Sequence, residues 1–412
     1  MQPPPAVPPQ ERGRRRLFIA LLALLIIVLI ASGVGTYFAF LPRGNNTGGA
    51  APTIPIVGHA FFISSGLLST NPESSQGITD QLQINLYKIA PPQAGKSYYA
   101  WLLNNKTSES NPIPLGRLTV NTDRTANLTY LGDAEHTSLL TNNSRFLITE
   151  EDASAPPPGP SLDPNTWSYY AEFSQRPNPL DPKKYSLYDH IRHLLAEDPK
   201  LEAVGLNGGL DIWFFRNTEK ILEWSGSARD AWQYKSANSA AFIRRQLERI
   251  LAYLDGSTYY QAELPGEQLL VDPTIAKVAL LEFDVQNQEP PGYVYHIGAV
   301  HLHEITQLAD ATAGQKALAI QISAAIDNVN IRLRTVHDDA LRLFKMTDGQ
   351  LLADDGRILL DDLATQANYA FVGQINPYTG QVKEGVVQVH YNIQRLATFD
   401  IRACTSSQPC TM

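Results

Sequence analysis

The chain has 412 residues, 43% of them hydrophobic, and a formal charge of -8 from 33 Lys and Arg against 41 Asp and Glu. That length is enough for about two folded domains. The acidic balance speaks against a nucleic-acid partner, because phosphate contacts need clustered Lys and Arg.

Met1–Gln10 carries five prolines and almost nothing to bury, which reads as a disordered tail. No charged residue occurs from Leu17 through Pro42, and Arg12, Arg14, Arg15 and Arg16 precede that run. As a helix, Leu17–Leu41 would span roughly 37 Å, enough for a bilayer core of about 30 Å. The sequence therefore predicts a transmembrane helix at Leu17–Leu41 contacting the lipid bilayer. By the positive-inside rule this gives a single-pass plasma-membrane protein with residues 1–16 cytoplasmic and the C-terminal domains extracytoplasmic. A cleaved signal peptide ending near Ala31-Ser32-Gly33 is the alternative. Residues 42–55, with Asn45, Asn46, Gly48, Gly49 and Pro52, read as a flexible stalk.

From Ile56 the period becomes two. Gln81–Tyr87 alternates polar and apolar residues, as a strand with one buried face does. Ser97–Leu103 is a second, aromatic-rich strand, with a turn at Pro91–Gly95 between the two. Arg117–Val120 and Ala126–Tyr130 flank Asn121-Thr122-Asp123 and predict a hairpin. Arg145–Glu150 and Trp167–Phe173 follow as strands. This spacing predicts an antiparallel β-sandwich over residues 56–176.

Tyr98-Tyr99-Ala100-Trp101-Leu102-Leu103, then Pro114-Leu115-Gly116-Arg117-Leu118, then Phe146–Glu150 followed by Pro156–Pro160 occur in the order of known family motifs. They resemble the extracytoplasmic C-terminal domain of anti-sigma-K factors over about residues 57–175. The resemblance implies a bacterial membrane regulator in which a cytoplasmic domain holds a sigma factor. Residues 1–16 contain no His or Cys, so the small zinc-containing sigma-binding domain of that family is absent from them.

After Pro177–Pro182 the period moves to 3.6. Ser186–Glu197 predicts a helix with Ser186 and Asp189 in capping-box spacing. Leu206–Trp224 is apolar and aromatic, and Ala240–Leu254 forms an amphipathic stripe. Leu308, Ala311, Gln315, Leu318, Ile322, Ile326, Val329, Leu333, Val336, Ala340 and Leu343 recur mostly at alternating spacings of three and four. That pattern predicts a long helix with a coiled-coil-like seam. Ile358–Phe371 is a shorter stripe, and Val386–Ile401 alternates like a strand or packs over the helices. Residues 183–373 thus read as a helical bundle and 374–412 as a C-terminal extension packing on it. Cys404 and Cys410 have five residues between them in a chain expected to be exported, so a disulfide between them is favoured over free thiols or a metal pair.

The chemistry-bearing residues are sparse. His190 and His193 lie three apart on one predicted helix, a spacing at which two imidazoles can share a metal. In His296–Glu304, His301 and Glu304 share a helical face, while Ile297 stands where a second imidazole one turn earlier would be needed. The segment resembles the Gly-x-His-x-x-Glu motif of imelysin-like helical proteins, one position out of register at Gly298. Asp354-Asp355-Gly356-Arg357 with Asp361-Asp362 lacks the alternation of a calcium loop. Asp211, Glu219 and Glu223 are acids among aromatics, and Trp213, Phe214, Phe215, Trp224, Trp232 and Tyr234, with Arg216 and Asn217, form either core or a ligand pocket. No Gly-x-Ser-x-Gly elbow, phosphate loop or dinucleotide fingerprint occurs, and Gly205–Gly209 reads as a turn.

The sequence accordingly predicts an α+β multidomain protein made of a transmembrane helix, a β-sandwich and a helical bundle. It predicts a membrane-anchored, non-enzymatic sensor or interaction protein with no catalytic residues and no cofactor, engaging an envelope protein or a small ligand. A metal- or haem-binding helical bundle using the His296–Glu304 region is the alternative; His301 and Glu304, and separately His190 and His193, are the candidate ligands.

Overall fold

The computed structural model describes residues 54–67, 76–105, 112–161, 163–405 and 410. Among these, the strands β1 (Ile56–Ile63), β2 (Gln81–Leu86), β3 (Lys96–Asn104), β4 (Ile113–Leu118), β5 (Ala126–Tyr130), β6 (Asn143–Asp152), β7 (Trp167–Glu172) and one late strand form a single sheet. Its order is β4-β3-β6-β7-late strand-β1-β2-β5, and every pairing in it is antiparallel. The expected two-sheet sandwich is therefore corrected to one sheet that almost closes on itself. Its edge strands, β4 and β5, approach where a Cβ on Gly116 would lie 3.5 Å from Leu128. The turn of the expected hairpin does form, with the Arg124 N–H donating to the Asn121 carbonyl at 2.9 Å. It joins the two edges, whose strands then pair with β3 and β2 instead of with each other.

Helices follow β7: α1 (Leu187–Leu195), α2 (Pro199–Glu202), α3 (Leu210–Ala231), α4 (Ala237–Glu263), α5 (Ala313–Lys345), α6 (Asp354–Val372) and α7 (Val386–Leu396). The expected seam lies on α5, where Ile322, Ile326, Val329, Leu333, Val336, Ala340 and Leu343 are buried. Leu308 and Ala311 fall before that helix because Thr312 caps it. Val386–Leu396 is helical, with Val386, Val389, Ile393 and Leu396 buried at spacings of three and four.

The chain then turns back as β10 (Thr398–Ala403), numbered after the short pair β8 (Gln374–Ile375) and β9 (Val382–Lys383). β10 runs between β7 and β1 in the middle of the sheet. A sandwich followed by a separate bundle is thus replaced by one fold in which the last strand completes the sheet. Phe399 stacks on Phe173 at 4.2 Å and lies 5.6 Å from Phe62, and Phe173 stacks in turn on Tyr188 of α1. Sheet and helices share this continuous core. On the sheet's other face a smaller cluster of Tyr99, Trp101, Leu103, Leu147 and Trp167 packs with Cys404 and Cys410, which form a disulfide.

The expected span Leu17–Leu41, its flanking tail and most of the stalk lie outside the described residues. No helix of the described residues is long and apolar enough to cross a membrane. The single-pass plasma-membrane topology accordingly finds no support in the fold, and it is set aside together with the assignment of cytoplasmic and extracytoplasmic sides.

Candidate metal centre

Two local structures that begin more than a hundred residues apart meet to form the site. The first is α1 and its exit. Ser186 and Asp189 close the capping box, each side chain hydrogen-bonded to the other's backbone N–H. This fixes where α1 starts, and so which face carries His190 and His193 inward; both are buried. Three residues after α1, Asp198 caps α2 with Pro199 directly behind it, the favoured cap-and-proline order. Its Oδ1 accepts from the backbone N–H groups of Lys200 and Leu201. Its Oδ2 faces the histidines.

The second is the stretch after Gly292. Tyr293–Tyr295 is one α-turn, His296–Leu302 is π-helical, and His303–Gln307 returns to α. In an α-helix, residues five apart point about 140° apart. The wider i→i+5 turn of the π-helix aligns them instead. Both His296 and His301 therefore face inward, with ring centroids 4.9 Å apart. Gly292 allows this segment to lie against the chain before it: a Cβ there would stand 2.3 Å from the Leu281 carbonyl oxygen. Gly292→Ala is expected to shift the π segment, destabilise the protein by about 1–3 kcal/mol and weaken whatever the cluster binds. Urea denaturation and ligand titration of the variant check both effects.

Four imidazoles and one carboxylate converge with almost no solvent access. His190, His193, His296, His301 and Asp198 are each at most 3% exposed. His190 Nδ1 and His301 Nδ1 are 3.0 Å apart, so one of them donates to the other. Asp198 Oδ2 is 3.7 Å from His301 Nε2 and 4.0 Å from His296 Nε2, beyond hydrogen-bond length. One donor atom each from His193, Asp198 and His301 lies within 4.8 Å of the others. His190 Nε2, His193 Nδ1 and His301 Nε2 are buried without a hydrogen-bond partner, as is the hydroxyl of the fully buried Tyr293. Tyr185 lies edge-on to His193 at 4.6 Å and to His190 at 5.8 Å.

Burial decides the protonation of these rings. It pushes His190 down to about 4, against the pull of Asp181 and Asp189. It pushes His193 to about 2, with His301 adding to the effect and Asp198 opposing it. His296 falls to about 3 by burial and His301, again against Asp198. His301, the most enclosed, lies well below its ordinary value, first through burial and then through His190. Neutral imidazoles with free lone pairs are the form that ligates metals.

Three of the four sequence candidates, His190, His193 and His301, are brought together here. Glu304 is not: its Oε2 lies 3.5 Å from Asn178 Nδ2. Asp198 was not anticipated, and His296 opens the segment singled out by the sequence but was not assigned as a ligand. Asp198 reads as a cap, and a five-residue spacing is invisible to a search for α-helical faces.

The other candidates disperse. Asp211 Oδ2 is 2.6 Å from His390 Nδ1, Glu223 pairs with Lys220, and burial raises Glu219. Asp355, Asp361 and Asp362 lie along α6, where Asp361 faces Arg357. Of the aromatic group, Trp213 and Phe214 are core residues and Trp232 bonds the Ala353 carbonyl, while Tyr234 is 71% exposed.

No family model matches the chain, and no curated protein or solved structure matches it either. The likeness to the anti-sigma-K outer domain rests on its motif order alone.

Proposed function

We propose that this protein is a metal-binding protein that encloses one transition-metal ion of the zinc type between α1, Asp198 and the π segment. The observation that carries this reading is the buried convergence of His193, Asp198 and His301, whose facing nitrogens have no other partner. A 3.7 Å gap between Asp198 Oδ2 and His301 Nε2 is too long for a hydrogen bond. It is close to the separation of about 3.4 Å between two tetrahedral ligands at bonds of about 2.1 Å. His296 Nε2 lies 4.0 Å from the same Asp198 oxygen, beside the three ligands and outside their group.

The donor set selects the class of ion. Imidazoles with a single carboxylate suit Zn²⁺, Co²⁺ or Ni²⁺, whereas Mg²⁺ and Ca²⁺ call for oxygen ligands. His190 then serves as the outer partner that holds His301 by its Nδ1 and leaves Nε2 for the ion. Rings at centroid spacings of 4.9 to 5.3 Å leave no slot for a macrocycle, which favours a single ion over haem.

Catalytic zinc sites keep an open position for substrate, and structural ones are closed. The enclosure here favours a resident ion that joins two distant segments of chain, in keeping with a non-enzymatic role. Purified protein dialysed without added metal is expected to retain about one zinc-type ion per chain by elemental analysis, and His193→Ala to lose it. A folded wild-type chain that holds no metal and takes none up from added Zn²⁺ would sink the reading.

A further inference from the structure

A second cluster lies on α4 and α5 and involves none of these residues. α4 does not run straight. Gly256 adopts φ +69° and ψ 160°, which breaks the helix directly after Asp255. In an unbroken helix Asp255 and Glu263 would be separated by about 12 Å along the axis. The break brings both carboxylates to one atom of α5: His337 Nε2 is 3.2 Å from Asp255 Oδ1 and 3.1 Å from Glu263 Oε2. His337 Nδ1 lies 3.2 Å from Asp338 Oδ1, and the Phe283 ring packs on the imidazole at 5.6 Å.

As a salt bridge this arrangement is incomplete. Nε2 carries at most one proton, and the hydrogen bond it makes goes to Glu263. Asp255 is 2% exposed, and neither of its carboxylate oxygens has a hydrogen-bond partner. Leaving a buried carboxylate unsatisfied is costly.

We propose that Asp255, Glu263 and His337 form a second divalent-cation site, distinct from the histidine-rich centre. One donor atom from each lies within 4.8 Å of the others, the spread of ligands around one ion. A bound ion displaces the Nε2 proton; Nδ1–H then donates to Asp338 and the Nε2 lone pair faces the ion, the carboxylate–imidazole–metal order that fixes a ligating histidine. Two carboxylates then balance the two positive charges, and Asp255 gains a direct ligand bond where it now has only a charge contact with His337. Glu263 keeps a side-chain exposure of 31%, which leaves that side open to water ligands. Two oxygens with one nitrogen and open positions suit Mn²⁺ or Fe²⁺ better than the nitrogen-rich centre does.

The test is Mn²⁺ added to the full-length, zinc-loaded protein and followed by the loss of the free-ion electron paramagnetic resonance signal. The wild type is expected to bind about one Mn²⁺ per chain, Asp255→Asn and Glu263→Gln to bind at least about tenfold more weakly, and His301→Ala to bind as the wild type does. Glu263→Gln alters a partly exposed side chain, so it remains informative if Asp255→Asn fails to fold. Folded wild type that leaves Mn²⁺ free, or equal binding by wild type and Glu263→Gln, overturns the site. Since His301→Ala silences the other centre alone, failure of one site is distinguishable from failure of the other.

Discussion

His301→Ala is expected to abolish the zinc-dependent part of this protein's stability. An ion that binds only the folded chain stabilises it by about 4 kcal/mol when free metal stands about 1,000-fold above Kd. Wild type unfolded in urea with and without buffered Zn²⁺ should show a separation of that order, and the variant should show none. The metal-free variant also loses some stability, because a fully buried ring is deleted and His190 loses its partner at 3.0 Å. The decisive quantity is therefore the zinc-dependent increment and not the absolute midpoint. His303→Ala serves as the control: it lies two residues on, is exposed, and stands outside the cluster. An increment of equal size in wild type and His301→Ala would show that the ion, if any, binds elsewhere.

The second large effect is expected at the C-terminal end of the fold. Phe399→Ala should destabilise the protein by about 3–5 kcal/mol, the range for deleting a buried aromatic ring. Phe399 is 1% exposed and packs on Phe62, Phe146 and Phe173, so its removal opens a cavity where sheet and helices meet. Ending the chain at Ala397 goes further. It removes the strand that pairs with both β1 and β7, and leaves β4-β3-β6-β7 unconnected by hydrogen bonds to β1-β2-β5. The shortened chain is expected to lose cooperative unfolding and near-ultraviolet circular dichroism. A sharp transition with a wild-type slope in urea would show instead that the sheet does not depend on its last strand.

Elements whose cause lies within a few residues were legible. The Ser186–Asp189 capping box spans four residues, the α5 seam repeats every three or four, and β2 alternates along its own length, so local sequence contains the whole argument for each. The histidines were also visible as residue types with the right chemistry. Their meeting was not, because His190 and His301 are separated by 111 positions and nothing in either segment names the other. His296 was missed for a different reason. The π turn is a departure from the regular helix, held by the packing of the segment behind Gly292, and an α-helical template places that ring on the wrong face.

By itself, then, the sequence determined many of the strands and helices of the described chain, where the cap of α1 falls, and which side chains are able to bind an ion. Tertiary structure decided that the last strand enters the middle of the sheet, that the two edges nearly meet, and that four histidines and Asp198 share one dry interior. The physical reason is range. Capping and amphipathic periodicity act over one or two turns of chain, whereas strand order and ligand convergence follow from burying one common core among segments hundreds of residues apart.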